Sequence, residues 1–181
     1  WTAMAPASSI TPYVAPDGES FLLAQTRTES GSQQLSFYSM EGQPKDNIPF
    51  PDWAMNVQEI AWPSQGHLLI GTRSTVAVLD LKGKEVLRHR IQDTSFDPYH
   101  GPDGTAVRFN PAKQSYLAVM SNGSSGYPRS VLLIFDPGVR VVWREEINKA
   151  RALVAVRGAD RDGEALLVGG MDGIVEYRLT Q

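Results

Sequence analysis

The chain of 181 residues contains no cysteine. Disulfides, thiolate metal sites and a cysteine nucleophile are therefore excluded. The absence suits an oxidising, extracytoplasmic setting slightly better than a reducing one and leaves the compartment open. Long apolar runs are missing too: none approaches the roughly 20 residues of a membrane-spanning helix. Nor is there an excess of charge of one sign, with 17 basic and 20 acidic residues and a net charge of −3. Phosphate backbones and anionic lipid headgroups need a basic footprint that this balance lacks, so neither nucleic acid nor a membrane is the expected partner. The first residue is Trp1 rather than Met, and the expectation is that something upstream was removed or left out.

What the sequence does have is a repeat. Four short apolar runs fall into register: Phe21-Leu22-Leu23-Ala24, His67-Leu68-Leu69-Ile70, Tyr116-Leu117-Ala118-Val119 and Ala165-Leu166-Leu167-Val168. Their second residues are 46, 49 and 49 positions apart. Each run follows another apolar segment that ends in a turn: Tyr13-Val14-Ala15-Pro16, Ile60-Ala61-Trp62-Pro63, Val107-Arg108-Phe109-Asn110-Pro111, and Val154-Ala155-Val156 before Asp160 to Gly163. Proline presets φ for a turn and cannot donate to a ladder, so these segments predict a strand and a tight reversal.

Each run is followed by a third predicted strand, at Leu35 to Tyr38, Val76 to Leu79, Leu132 to Phe135 and Ile174 to Tyr177. Short alternation bounded by Gly, Asp and Ser reads as strand, not helix. A fourth strand is predicted at Asn47 to Phe50, Glu85 to Ile91 and Val141 to Ile147, with charged residues among apolar ones as on an outer edge. The fourth copy has no fourth strand before the chain stops at Gln181.

A supersecondary unit recurring at this period predicts an all-β β-propeller of four tandem four-stranded antiparallel blades, about 10–52, 53–93, 94–148 and 149–181. Residues 1–10 are a candidate closing strand for the fourth blade. An ordinary sandwich also gives short, regularly spaced strands, but it offers no reason for one unit to recur four times. Three readings of the ring stay open: a complete four-bladed ring, part of a larger ring, or a ring completed by a second copy or a partner.

Val57 to Leu81, with its Ile-Ala-Trp-Pro turn and its Val-Ala-Val-Leu-Asp-Leu ending, resembles a blade of the WD-repeat and related propeller families. So does Ala165 to Leu179, with its Gly169-Gly170-Met171-Asp172-Gly173 hairpin. The repeats are degenerate. No Gly-His pair opens a blade and no Trp-Asp dipeptide closes a third strand, although Leu79-Asp80 and Phe135-Asp136 keep the aspartate. Quinoprotein-like propellers look similar at this level.

No catalytic or nucleotide motif stands out. Asp160, Asp162 and Glu164 flank a glycine as calcium ligands do, in a stretch too short for a full loop, so calcium is a weak expectation and no cofactor is the main one. Asp97, His100 and Asp103 carry metal-competent groups in a loop rich in proline and glycine. The exposed loops put Tyr99, His100, Asp103, Tyr127 and Arg129 forward as residues that would touch a ligand or partner. Asn122-Gly123-Ser124 spells an N-glycosylation triplet. His67 and His89 read as structural or solvated, and Trp53, Trp62 and Trp143 as packing between blades. The resulting expectation is a non-enzymatic scaffold that binds protein, as a subunit or domain of something larger. The alternatives are a propeller binding a glycan or small polar molecule, and part of a quinoprotein-type enzyme.

Overall fold

The computed structural model describes residues 10–15, 17–28, 30, 32–50, 54–72, 75–91, 101–110, 112–121, 129–157 and 163–178. Trp1, Trp53, Asp97, Tyr99, His100, Tyr127, Asp160 and Asp162, the Asn122 triplet and the candidate closing segment before Ile10 lie outside the described residues. All regular structure among the described residues is β. Strands β1 (Ile10–Val14), β2 (Ser20–Arg27), β3 (Gln33–Ser39) and β4 (Pro44–Pro49) form one antiparallel sheet in sequential order. The second sheet is β5 (Asn56–Ile60), β6 (His67–Gly71), β7 (Thr75–Asp80) and β8 (Glu85–Arg90). The third is β9 (Asp103–Val107), β10 (Tyr116–Met120), β11 (Arg129–Phe135) and β12 (Val141–Asn148). The fourth has three strands among the described residues: β13 (Ala150–Arg157), β14 (Glu164–Gly170) and β15 (Gly173–Tyr177).

The four apolar runs are the second strands β2, β6, β10 and β14. Those of the two middle sheets, β6 and β10, have their two faces committed to different neighbours, because side chains alternate across a strand. One apolar cluster joins sheets one and two through Leu23, Leu35 and Phe37 against Leu68, Ile70, Ala77 and Leu79. The next joins sheets two and three through Leu69, Val76 and Val78 against Leu117, Val119, Val131 and Leu133. A third joins sheets three and four through Ala118, Met120, Leu132 and Ile134 against Leu166 and Val168. Adjacent residues of one run thus face opposite neighbours: Leu68 looks back to sheet one, Leu69 forward to sheet three. This is why the runs are continuously apolar rather than alternating.

The first strands lie side by side, β1 next to β5, β5 next to β9 and β9 next to β13, so they form the inner side of the array. Gly104 permits the close approach there, since a Cβ at that position would sit 2.8 Å from Leu69 Cδ1. Polar ties reinforce it: Gln58 Nε2 donates to the Gly104 carbonyl and Asn56 Nδ2 to Asp103 Oδ1 at 2.5 Å. Asp103 is therefore part of an inner strand, paired opposite Met120, and not of an exposed loop. Its alternation with Thr105 and Val107 was hidden by the proline and glycine before it.

The retained aspartates close the turn between third and fourth strands. Asp80 Oδ1 accepts from the Lys82 and Lys84 amides at 2.9 and 2.8 Å. Asp136 Oδ1 accepts from the Arg140 amide at 2.9 Å while Oδ2 receives its guanidinium at 2.7 Å. These hydrogen bonds, the amide bond foremost, hold the Asp136 carboxyl below its ordinary pKa. Ser39 caps the same turn in the first sheet, accepting from the amides of Glu41 and Gln43. The register puts Arg178 at this place in the fourth sheet, paired to Glu176 at 2.6 Å instead.

Leu69 and Leu167 occupy the same repeat position, yet Leu69 is fully buried and Leu167 half-buried. Leu69→Ala is expected to lower unfolding stability by about 3 kcal/mol and Leu167→Ala by about 1 kcal/mol or less. Urea denaturation of the two variants checks the difference.

Candidate functional site: the terminal sheet and a cleft between sheets one and two

Two features break the repeat. The first is the forward face of the fourth sheet. Leu23, Leu69 and Ala118 are each buried against the following sheet, at 3%, 0% and 0% exposure. Leu167, their counterpart, has no following sheet among the described residues. Around it on the same face lie Val154, Val156 and Ile174, with Met171 in the adjoining turn, and Ile174 and Met171 are 74% and 69% exposed. The third strands show the same contrast. No residue of β3 or β7 and only the first of β11 is exposed, whereas four of the five residues of β15 are exposed. No strand pairs with the outer edge of β15 among the described residues. A sheet edge with an apolar flank is a template for further β structure.

Contacts to the third sheet are complete by comparison. Ser130 Oγ donates to the buried Ala150 carbonyl at 3.1 Å. Tyr177 is pushed up to about 12 by burial first and then by its hydrogen bond to the Glu145 carboxylate. The fourth sheet is thus seated on the third by one face, and no other sheet covers its second face among the described residues.

The second feature is a cleft of about 230 Å³ between sheets one and two, at the end carrying the β1–β2 and β3–β4 turns. The position after each first strand holds Trp62 in the second copy, fully buried against sheet three, and Phe109 in the third, packed on Tyr116 with ring centroids 5.7 Å apart. In the first copy that position is Ala15. Tyr13, Phe21 and Phe37 wall the cleft, with centroids 6.3 to 6.5 Å apart.

The cleft is polar at its rim. Lys45 extends across it, with Nζ 4.6 Å from the centre of the Phe21 ring and an ion pair to Glu19. Asp46 and Leu81 complete the lining. The Lys45 and Glu19 side chains are 36% and 51% exposed, so the pair contributes at most about 1 kcal/mol. Tyr13 is pushed up to about 12 by burial first and then by the charges of Glu59 and Asp17. Its hydroxyl is buried and has no hydrogen-bond partner among the described residues.

Several expectations are redistributed. Trp62 does fill space between sheets, but Trp143 does not: it stands on the outer strand β12, 50% exposed, with Nε1 donating to Glu145 at 3.2 Å. Outer strands meet solvent where the sheets splay apart, so a ring there has no facing sheet. Arg129 opens β11 as an exposed residue 3.8 Å from Glu146. Glu164 opens β14, and its carboxylate accepts from the Arg108 amide at 2.6 Å, which ties sheet four to sheet three. His67 Nδ1 lies 3.0 Å from the Ser64 carbonyl. His89 meets the Phe135 ring edge to face at 5.3 Å, and burial lowers its pKa. Asp103, Arg129 and Glu164 do not converge on one site: Asp103 and Glu164 tie neighbouring sheets together, and Arg129 faces Glu146 within its own sheet.

Tyr13→Phe removes a buried hydroxyl without a partner, so it is expected to leave stability unchanged or raise it by about 1 kcal/mol at neutral pH. The alkaline side gives a second readout. Because Tyr13 ionises near 12 when folded and near 10 when unfolded, the unfolded chain loses this proton first. Stability therefore falls as pH rises through that window, and Tyr13→Phe shallows the fall in denaturation curves taken from pH 9 upward.

No family model and no curated protein sequence matches the chain. Solved structures do. A chain of the crystal structure of BBS1N in complex with ARL6DN superposes with a TM-score of 0.60 at 16% identity, over 98% of this chain and 57% of that one. The AfRom2 CNH domain aligns with a TM-score of 0.39 at 10% identity, over 97% of this chain and 66% of that one. This chain spans little more than half the length of its BBS1N neighbour. With four sequential antiparallel sheets packed face to face and their first strands innermost, that likeness gives the fold: a β-propeller.

Proposed function

We propose that this chain is a non-catalytic propeller scaffold that binds protein, as a domain or subunit of a larger assembly. The single observation that carries the reading is the terminal sheet: Leu167 stands where its three counterparts are buried, beside exposed Ile174 of β15, whose outer edge no strand pairs among the described residues. The occupant that fits is a further β-sheet of blade type, because each preceding forward face is covered by one. BBS1N, a propeller neighbour, was crystallised in complex with a protein, ARL6DN, and that supports the reading. Self-association and completion by further blades are two forms of the same contact. The WD-repeat resemblance belongs to this reading as well, through the turn-capping aspartates Asp80 and Asp136.

Val154 and Ile174 are exposed at 47% and 74%, so changing them to arginine leaves the fold intact. The V154R/I174R double variant is expected to reduce recovery of the associated protein from source cells by about tenfold or more, since buried apolar anchors dominate interfaces. Undiminished recovery with the double variant contradicts the docking site. A turnover that depends on side chains of this chain contradicts the scaffold reading itself.

A further inference from the structure

The cleft between sheets one and two lies apart from the terminal sheet, and we propose that it is a binding site for an organic cation, a substituted ammonium group, which displaces Lys45 from the face of Phe21. A cleft of about 230 Å³ opens between sheets one and two, lined by Tyr13, Phe21 and Phe37 from sheet one and by Leu81 from sheet two, with Glu19, Lys45 and Asp46 at its rim. Its walls are aromatic and its rim is acidic. The face of an aromatic ring carries negative potential, which attracts a cation placed over it. Phe21 already holds one: Lys45 Nζ stands 4.6 Å from its centroid and pairs with Glu19. Lys45 thus marks where a guest's positive charge would sit.

The resident cation is easily displaced. Lys45 lies on the outer strand β4 with its side chain 36% exposed, so it can swing into solvent without disturbing the sheet. Once it leaves, Glu19 and Asp46 are the charges remaining on the rim, and Asp17 and Glu59 are close enough to bear on Tyr13. The local field then favours a positive guest and disfavours an anion. A substituted ammonium group suits the walls better than a bare one, because its methyl groups lie against Tyr13, Phe21 and Phe37 while its charge meets the carboxylates. Such a group occurs both on a modified lysine of a partner and in free small molecules.

Choline tests the site against its neutral isostere, 3,3-dimethylbutanol, with the ring resonances of Tyr13, Phe21 and Phe37 followed by NMR on the folded chain. Choline is expected to shift these resonances and to bind about fivefold more tightly than the alcohol, as a cation–π contact of moderate strength requires. Lys45→Ala and Lys45→Ser are each expected to tighten choline binding severalfold, and Phe21→Leu to weaken it. A trimethyllysine peptide run beside choline distinguishes the two sources: tighter binding of the peptide assigns the site to a protein side chain, tighter binding of choline to a free molecule. Equal binding of the alcohol, no gain on removing Lys45, or unmoved ring resonances at tens of millimolar of both cations overturns the proposal.

Discussion

A β-sheet with two apolar faces is stable only when both are covered, and the second and third sheets of this chain are built that way. The second strand of each copy supplies the constraint. In β6 and β10 adjacent apolar residues point in opposite directions, so each of these strands commits its sheet to one neighbour behind and another in front. Leu68 and Leu69 show the principle within two residues: both are fully buried, in different clusters. Since hydrophobic burial is the main favourable term in folding, an uncovered face of this kind is a standing demand for a partner surface. The fourth sheet leaves that demand unmet among the described residues, and the functional reading rests on it.

The same constraint explains why the interfaces differ in detail while the array stays regular. Each gap between sheets is filled by the ring or chain that follows the inner strand, and the three gaps are solved differently. Trp62 fills one and Phe109 another. The first gap carries three rings, Tyr13, Phe21 and Phe37, along the wall of an open cleft. Turn chemistry is held more uniformly: Ser39, Asp80 and Asp136 make the same amide-accepting cap with two different side chains. Packing tolerates exchange of volume between neighbours, whereas a tight turn needs an acceptor at one place.

Much of the fold could be read before any coordinates, and for a physical reason. The apolar runs recur because face-to-face packing recurs, so their spacing exposed four copies, and the third and fourth strands fell out of the alternation that followed. The first strands were harder. Tyr13-Val14, Ile60 and Val107 were recognised as apolar, but they are strand ends, and the inner strands begin several residues earlier in polar stretches such as Asn56 to Glu59 and Asp103 to Thr105. Inner strands are short and lie near one another, so polar side chains there bond across to the next strand, as Asn56 does to Asp103, instead of packing in a core. The alternation therefore carries little signal. Trp143 misled for the opposite reason: its size suggested packing, but whether an aromatic residue lies inside depends on which strand is outermost. The cleft leaves no spacing signal, because its rings, Tyr13, Phe21 and Phe37, come from three different strands.

The central claim is that the forward face of the terminal sheet is covered by a blade from elsewhere in the assembly. The absence of cysteine makes it directly testable, since a single introduced thiol reports its own position. Leu167→Cys and Leu69→Cys are labelled with a maleimide in the isolated chain and again in the particle recovered from cells. The account predicts that the thiol at 167 reacts readily in the isolated chain and is protected in the particle, while the one at 69 is protected in both. Protection at 167 in a monomer of the isolated chain, or equal reactivity there in both preparations, would contradict it.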